Sequence, residues 1–187
     1  MKDLLIQDSS LTKNNMVTMR VTTKNESERR DELMGKLYFA YGSNLNLTQM
    51  ANRCPQAKQL GSAYLPNWRL VFRGVADIEP SRNQDDLLPI GVWEITNECE
   101  RTLDIYEGFP HLYRKIKVNG MMTYTMNKKD VMPPSSSYFN SILEGYKDFG
   151  LDNSHLYEAL GWSHYTSKQY EWSLPKKKFK PLFINKS

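Results

Sequence analysis

A chain of 187 residues, 40% hydrophobic and 25% charged, has the make-up of a globular protein with one core or two very small ones. Two cysteines, Cys54 and Cys99, exclude a disulfide scaffold, and three scattered histidines, His111, His155 and His164, argue against a metal centre. The net charge of +4 resides in residues 173–187, where five lysines meet no acid, so the body lacks the basic face that nucleic acid needs. In chain order, residues 1–34 read as a polar arm in which acids and bases cancel. Its end, 25–35, is either a short charged helix or a flexible segment. Residues 37–41 read as the first strand. Leu47, Met50, Ala51 and Cys54 then follow helical spacing, and Pro55 ends the helix. Strands follow at 68–72, 90–95, 113–118 and 121–126, rich in aromatic and β-branched residues. Asp77 and Glu79 alternate along a further extended stretch and share one face, which the pattern leaves to solvent.

Cys99, Thr102, Leu103 and Tyr106 mark a second helix, with Asn97 as its expected N-cap and Gly108 at its exit. Phe139, Ile142, Leu143 and Tyr146 mark a third, after the cap run 133–136. A short fourth helix is expected from Asp152 to about Gly161. Strands come mostly first and do not alternate strictly with helices, so the class is α+β. The organisation expected is an arm over 1–34, one domain over 35–163 and a basic tail over 164–187. No apolar run is long enough to span a bilayer, and Met1 to Asn15 lacks the order of a secretory leader, so the expected location is cytoplasmic.

Two segments carry chemistry. In Tyr41-Gly42-Ser43-Asn44-Leu45 a strand stops at a glycine and a helix starts two short polar residues later. Gly42 permits close approach of a ligand, and the unpaired amides of a helix start suit a carboxylate or phosphate. The same residues also read simply as a capped strand-to-helix turn. The glycine offsets fit neither a phosphate-binding P-loop nor a dinucleotide fingerprint. The second segment is Leu103-Asp104-Ile105-Tyr106-Glu107-Gly108. Glu107 at a helix C-terminus faces the negative pole of the helix dipole, and burial would act in the same direction, so its proton would exchange near neutral pH. An exposed glutamate before a capping glycine is the plainer alternative. Asp104, one turn back, suits pairing better than catalysis. Cys54, on the apolar stripe before Pro55, reads as a buried structural thiol. Tyr124 would place a phenol into either a cavity or the core.

The run Lys36-Leu37-Tyr38-Phe39-Ala40-Tyr41-Gly42-Ser43-Asn44-Leu45 resembles the signature of the gamma-glutamylcyclotransferase-like family. Arg53-Cys54-Pro55, the stretches 68–72 and 74–80, Leu103 to Gly108 followed by Tyr113-Arg114, and Pro134-Ser135 with Tyr138 and Gly145 resemble later family segments in the family's order. The resemblance spans about residues 36–162 and implies a small closed β-barrel surrounded by helices, with the site at the barrel. It implies that residues 41–45 hold the α-carboxylate of a gamma-glutamyl group and that Glu107 is the general acid/base. Tyr113 and Tyr124 join the implied substrate-binding set. The implied reaction releases 5-oxoproline and a free amine or amino acid without metal or cofactor. The implied partner is a small gamma-glutamyl molecule, with no nucleic acid or membrane, and a homodimer is compatible. A protein that binds a ligand in the same pocket without turnover is the alternative reading.

Overall fold

The computed structural model describes residues 35–173, so the arm expected over 1–34 and residues 174–187 of the expected basic tail lie outside the described residues, while 164–173 belong to the last helix. Seven strands and four α-helices are described. The strands are β1 (Lys36–Ala40), β2 (Lys58–Pro66), β3 (Trp68–Phe72), β4 (Ala76–Pro80), β5 (Leu87–Ile95), β6 (Tyr113–Val118) and β7 (Met121–Met126). The helices are α1 (Leu47–Arg53), α2 (Asn97–Tyr106), α3 (Ser136–Asp148) and α4 (Ser154–Ser173), with a 3-10 turn over Ser43–Leu45.

Five strands form one sheet in the order β2-β5-β1-β7-β6. All neighbours are antiparallel except β1 and β7, which run parallel through Tyr38 and Met122. β3 and β4 pair only with each other. The α+β class is therefore observed. The ladders do not close into the expected barrel, because β2 and β6 remain edges and β3–β4 is a separate ribbon.

The ribbon is tied on by side-chain chemistry. Asp77 of β4 is fully buried, and its Oδ1 accepts from the Met126 N–H and the Thr125 hydroxyl of β7, both at 2.8 Å. Arg73, also buried, neutralises it at 2.7 Å and reaches Glu79 at 2.6 Å. This corrects the expectation of a solvated Asp77–Glu79 face. The two acids do share a face, but that face packs on β7, and a guanidinium takes the place of water.

The core lies between the sheet and the helices, around Phe39, Phe72, Ile78, Leu88, Ile90, Leu103 and Ile142. Helices α1, α2 and α3 begin where a short polar side chain satisfies an orphan N–H. Asn46 caps α1 by accepting from Gln49 N, and Ser135 caps α3 by accepting from Tyr138 N. α2 is capped by Thr96, not by the expected Asn97, which is already the first helical residue. α4 does not stop near Gly161 but continues to Ser173. One glycine costs a helix only about 1 kcal/mol, less than tertiary contacts return. Cys54 and Cys99 are buried free thiols, and burial pushes Cys54 up to about 12. No helix among the described residues is long and apolar enough to cross a membrane.

Candidate active site

A cavity of about 280 Å³ opens between β1, the 3-10 turn, the ribbon, the end of α2, β7 and α3. Tyr41, Gly42, Ser43, Asn44, Glu107, Tyr113 and Tyr124 all line it. Seven positions that are as far as 83 residues apart in the chain are thus brought into one space. Leu45, expected with them, is not in the lining. It is fully buried beneath the turn, packed toward Gly91 and Gly145.

β1 ends at Ala40, and Gly42 releases the chain into the turn. An added Cβ at Gly42 would lie 3.1 Å from Ala76 Cβ and 3.4 Å from the Tyr138 hydroxyl, so any side chain there narrows the cavity. Hydrogen bonding within the turn begins with Leu45 N to Gly42 O and Asn46 N to Ser43 O. The amides ahead of Leu45 are therefore not consumed by the turn itself.

Glu107 follows directly on α2 as its C-cap. Its Oε1 accepts from Asn44 Nδ2 at 3.0 Å. The same Nδ2 donates to the Tyr38 hydroxyl at 2.8 Å. Arg53, at the end of α1, fixes that amide from behind by donating to Asn44 Oδ1 at 2.5 Å. It also donates to Ser43 Oγ at 3.1 Å and Gln49 Oε1 at 2.5 Å. Its guanidinium lies 3.6 Å over the Tyr106 ring and donates to that hydroxyl as well. Because Arg53 holds the oxygen side, the NH2 side of Asn44 must face Glu107.

Burial raises the Glu107 carboxyl from 4.5 to about 7, against smaller lowering effects of the Asn44 hydrogen bond and the Arg53 charge. The direction agrees with the reading from the helix terminus, and burial is the larger cause. Glu107 can therefore both accept and release a proton near neutrality.

The tyrosines contribute differently from expectation. Tyr41 donates its hydroxyl to Tyr124 O at 2.8 Å, and Tyr113 donates to Ala76 O at 2.9 Å. Tyr124 donates to Asp104 Oδ1 at 2.6 Å, and Asp104 pairs with Lys115 at 2.7 Å. These three hydroxyl protons are committed to the protein, so the rings shape the cavity and burial holds all three well above the ordinary tyrosine range. Sequence reading missed Tyr38, Tyr106, Leu112, Thr123, Tyr138 and the Val75-Ala76 wall. The alternation of Tyr38 with Ala40 on β1 was the one local signal. The others are joined to the site only by tertiary packing. Among the described residues, no group of three His, Cys, Asp or Glu side chains could hold a metal ion.

The solved structure of a gamma-glutamyl cyclotransferase superposes with a TM-score of 0.59 at 27% identity, over 67% of this chain and 86% of that one. An uncharacterized protein from Homo sapiens superposes with a TM-score of 0.58 at 28% identity, over the same shares of 67% and 86%. YkqA from Bacillus subtilis, at 20% identity and a TM-score of 0.53 over 76% of this chain and 56% of that one, shares the fold. No curated protein matches the sequence significantly. The family described as "Gamma-glutamyl cyclotransferase, AIG2-like" matches residues 38–140, a span running from Tyr38 through Glu107 to Tyr138 and so containing every residue that lines the cavity. By that match the chain belongs to the AIG2-like gamma-glutamyl cyclotransferase family.

Proposed function

We propose that this chain is a gamma-glutamyl cyclotransferase whose proton-transfer group is Glu107. The observation that carries the reading is the Glu107–Asn44 hydrogen bond, which sets a carboxyl of near-neutral pKa against the turn, whose own hydrogen bonds do not use the amides ahead of Leu45. In this reading the amides of the turn receive the substrate α-carboxylate, and Glu107 faces the α-ammonium. Ionised Glu107 takes one proton from the ammonium. The freed nitrogen attacks the γ-carbonyl carbon, forming the lactam C–N bond of 5-oxoproline. The bond from that carbon to the departing nitrogen breaks as Glu107 gives that nitrogen its proton; Glu107 then takes the second proton from the ring nitrogen and passes it to the released amine. The products are 5-oxoproline and the amine as its ammonium ion, with Glu107 ionised again and no net proton change. The attack is intramolecular, so holding the chain folded contributes much of the acceleration. Tyr38, Tyr41, Tyr113 and Tyr124 wall the cavity and limit water around the reacting atoms.

The test is turnover of a panel of gamma-glutamyl amino acids and amines, followed by mass spectrometry. Wild type is expected to release 5-oxoproline, and Glu107→Gln to lose at least about a hundredfold in kcat. Retained activity in Glu107→Gln would remove Glu107 from the mechanism. Tight binding of panel members without conversion would instead favour a ligand-binding protein built on the same cavity.

A further inference from the structure

A second cavity, of about 290 Å³, lies where α4 packs on β3 and the β4–β5 loop, and it shares no lining residue with the first. Its floor is apolar. Pro89 and Ala159 are buried there, Trp162 is half-buried, and Leu87 is 41% exposed. Three carboxylates stand around this floor, Asp85 and Asp86 from the loop and Glu158 from α4. The loop is built to present the first two. Asn83 donates its Nδ2 to Asp86 Oδ1 at 2.9 Å, and its Oδ1 accepts from the Asp85 N–H at 3.2 Å. The Asp86 carbonyl accepts from Asn67 N at 3.0 Å, which ties the loop to the turn between β2 and β3.

Among the described residues, no side chain forms an ion pair with Asp85, Asp86 or Glu158. Two basic side chains face the cavity, Arg69 and His155. Arg69 gives Nε and Nη2 to Glu79 at 3.0 and 2.6 Å and lies 4.7 Å over the Trp162 ring, so a carboxylate outside the cavity already balances it. His155 stands beside Tyr64, the ring centroids 6.0 Å apart. Arg82, exposed in the same loop, does not line the cavity. With Arg69 balanced, three carboxylates outnumber His155 even when its ring is protonated. Among the described residues no three acidic, histidine or cysteine side chains converge closely enough to hold a metal ion. The spread of these carboxylates therefore suits a larger cation, and the apolar floor suits one that carries hydrocarbon.

We propose that this cavity is a second binding site, which takes an organic ammonium ion with its charged head among Asp85, Asp86 and Glu158 and its hydrocarbon against Leu87, Pro89 and Trp162. The proposal is independent of the cyclotransferase reading. An anion of the same shape would meet the repulsion of three carboxylates, and an uncharged one would leave their attraction unused.

The test follows the Trp162 indole N–H signal by NMR while the full chain is titrated with hexylammonium, 1-hexanol and methylammonium. Hexanol lacks only the charge, and methylammonium lacks only the long hydrocarbon. Hexylammonium is expected to shift the signal with a Kd of about 1 mM or lower, at least about fivefold tighter than either control. Asp85→Asn combined with Glu158→Gln alters two exposed side chains, so the rest of the spectrum should stay in place while hexylammonium weakens to the level of hexanol. A silent Trp162 signal, equal binding of hexylammonium and hexanol, or undiminished binding in the double variant each overturns the proposal. Lysine capped as its N-acetyl amide separates two sources of the same chemistry. Binding as tight as that of hexylammonium supports a peptide lysine as the ligand, and weaker binding supports a free amine.

Discussion

Arg53 holds Asn44 in one orientation, and Asn44 in turn holds Glu107. Arg53→Met removes a positive charge and frees the amide to turn, and both changes push the Glu107 pKa higher. A base with a higher pKa is protonated at higher pH, so the acid limb of the pH–rate profile should move upward, with kcat/KM at neutral pH lowered about tenfold. Arg53→Lys keeps the charge but not the planar fork, so the limb should move less while kcat still falls. An unmoved limb in Arg53→Met would make Arg53 a purely structural side chain. The raised pKa of Glu107 also bears on stability. Between 4.5 and about 7 the folded state keeps a proton that the unfolded chain releases. That contribution is fully present below 4.5 and is lost as pH rises through about 7. Glu107→Gln has nothing to lose, so it should be more stable than wild type at about pH 8, by roughly 2–3 kcal/mol, and equal to it at about pH 4. Urea unfolding at the two pH values decides this.

At the level of elements, α3 and the 3-10 turn meet at Gly145. An added Cβ there would lie 2.6 Å from Leu45 Cβ and 2.7 Å from the Asn46 nitrogen. Gly145→Ala should therefore cost about 1–3 kcal/mol and raise KM by displacing the turn, read from Tm and kinetics together. Gly161 is the contrast. It lies within α4 with nothing inside 4 Å of an added Cβ, so Gly161→Ala should stabilise by about 0.5–1 kcal/mol and leave KM alone. Five strands and three helix stripes were legible because their apolar positions repeat with a clear period. β2 was not, because it is a sheet edge with six exposed residues among nine and a register shift at Gly61. In the same way, Glu107 and residues 41–44 could be found because a helix end and a strand end announce them. Tyr38 and Tyr138 carry no such local mark, and Asp77 read as solvated because two of its partners, Thr125 and Met126, lie on β7 and meet it only once the ribbon packs there.

For the molecule as a whole, Asp77 is the joint between the ribbon and the sheet. Asp77→Ala removes two acceptor bonds from β7 and leaves the buried Arg73 with Glu79 as its one carboxylate and the Lys129 carbonyl as a further acceptor. A loss of about 3 kcal/mol or more is expected from the denaturation midpoint, with weaker ligand binding because Val75 and Ala76 ride on that ribbon. An unchanged midpoint would place the joint elsewhere. The burial of Leu45 has an effect on motion. It pegs the ligand-facing turn into the core, so the amide hydrogens of Leu45 and Asn46 should exchange with solvent only when the whole domain opens. The turn then behaves as a rigid floor, not as a lid. Ligand traffic is left to the side of the cavity lined by Leu112, which is half exposed.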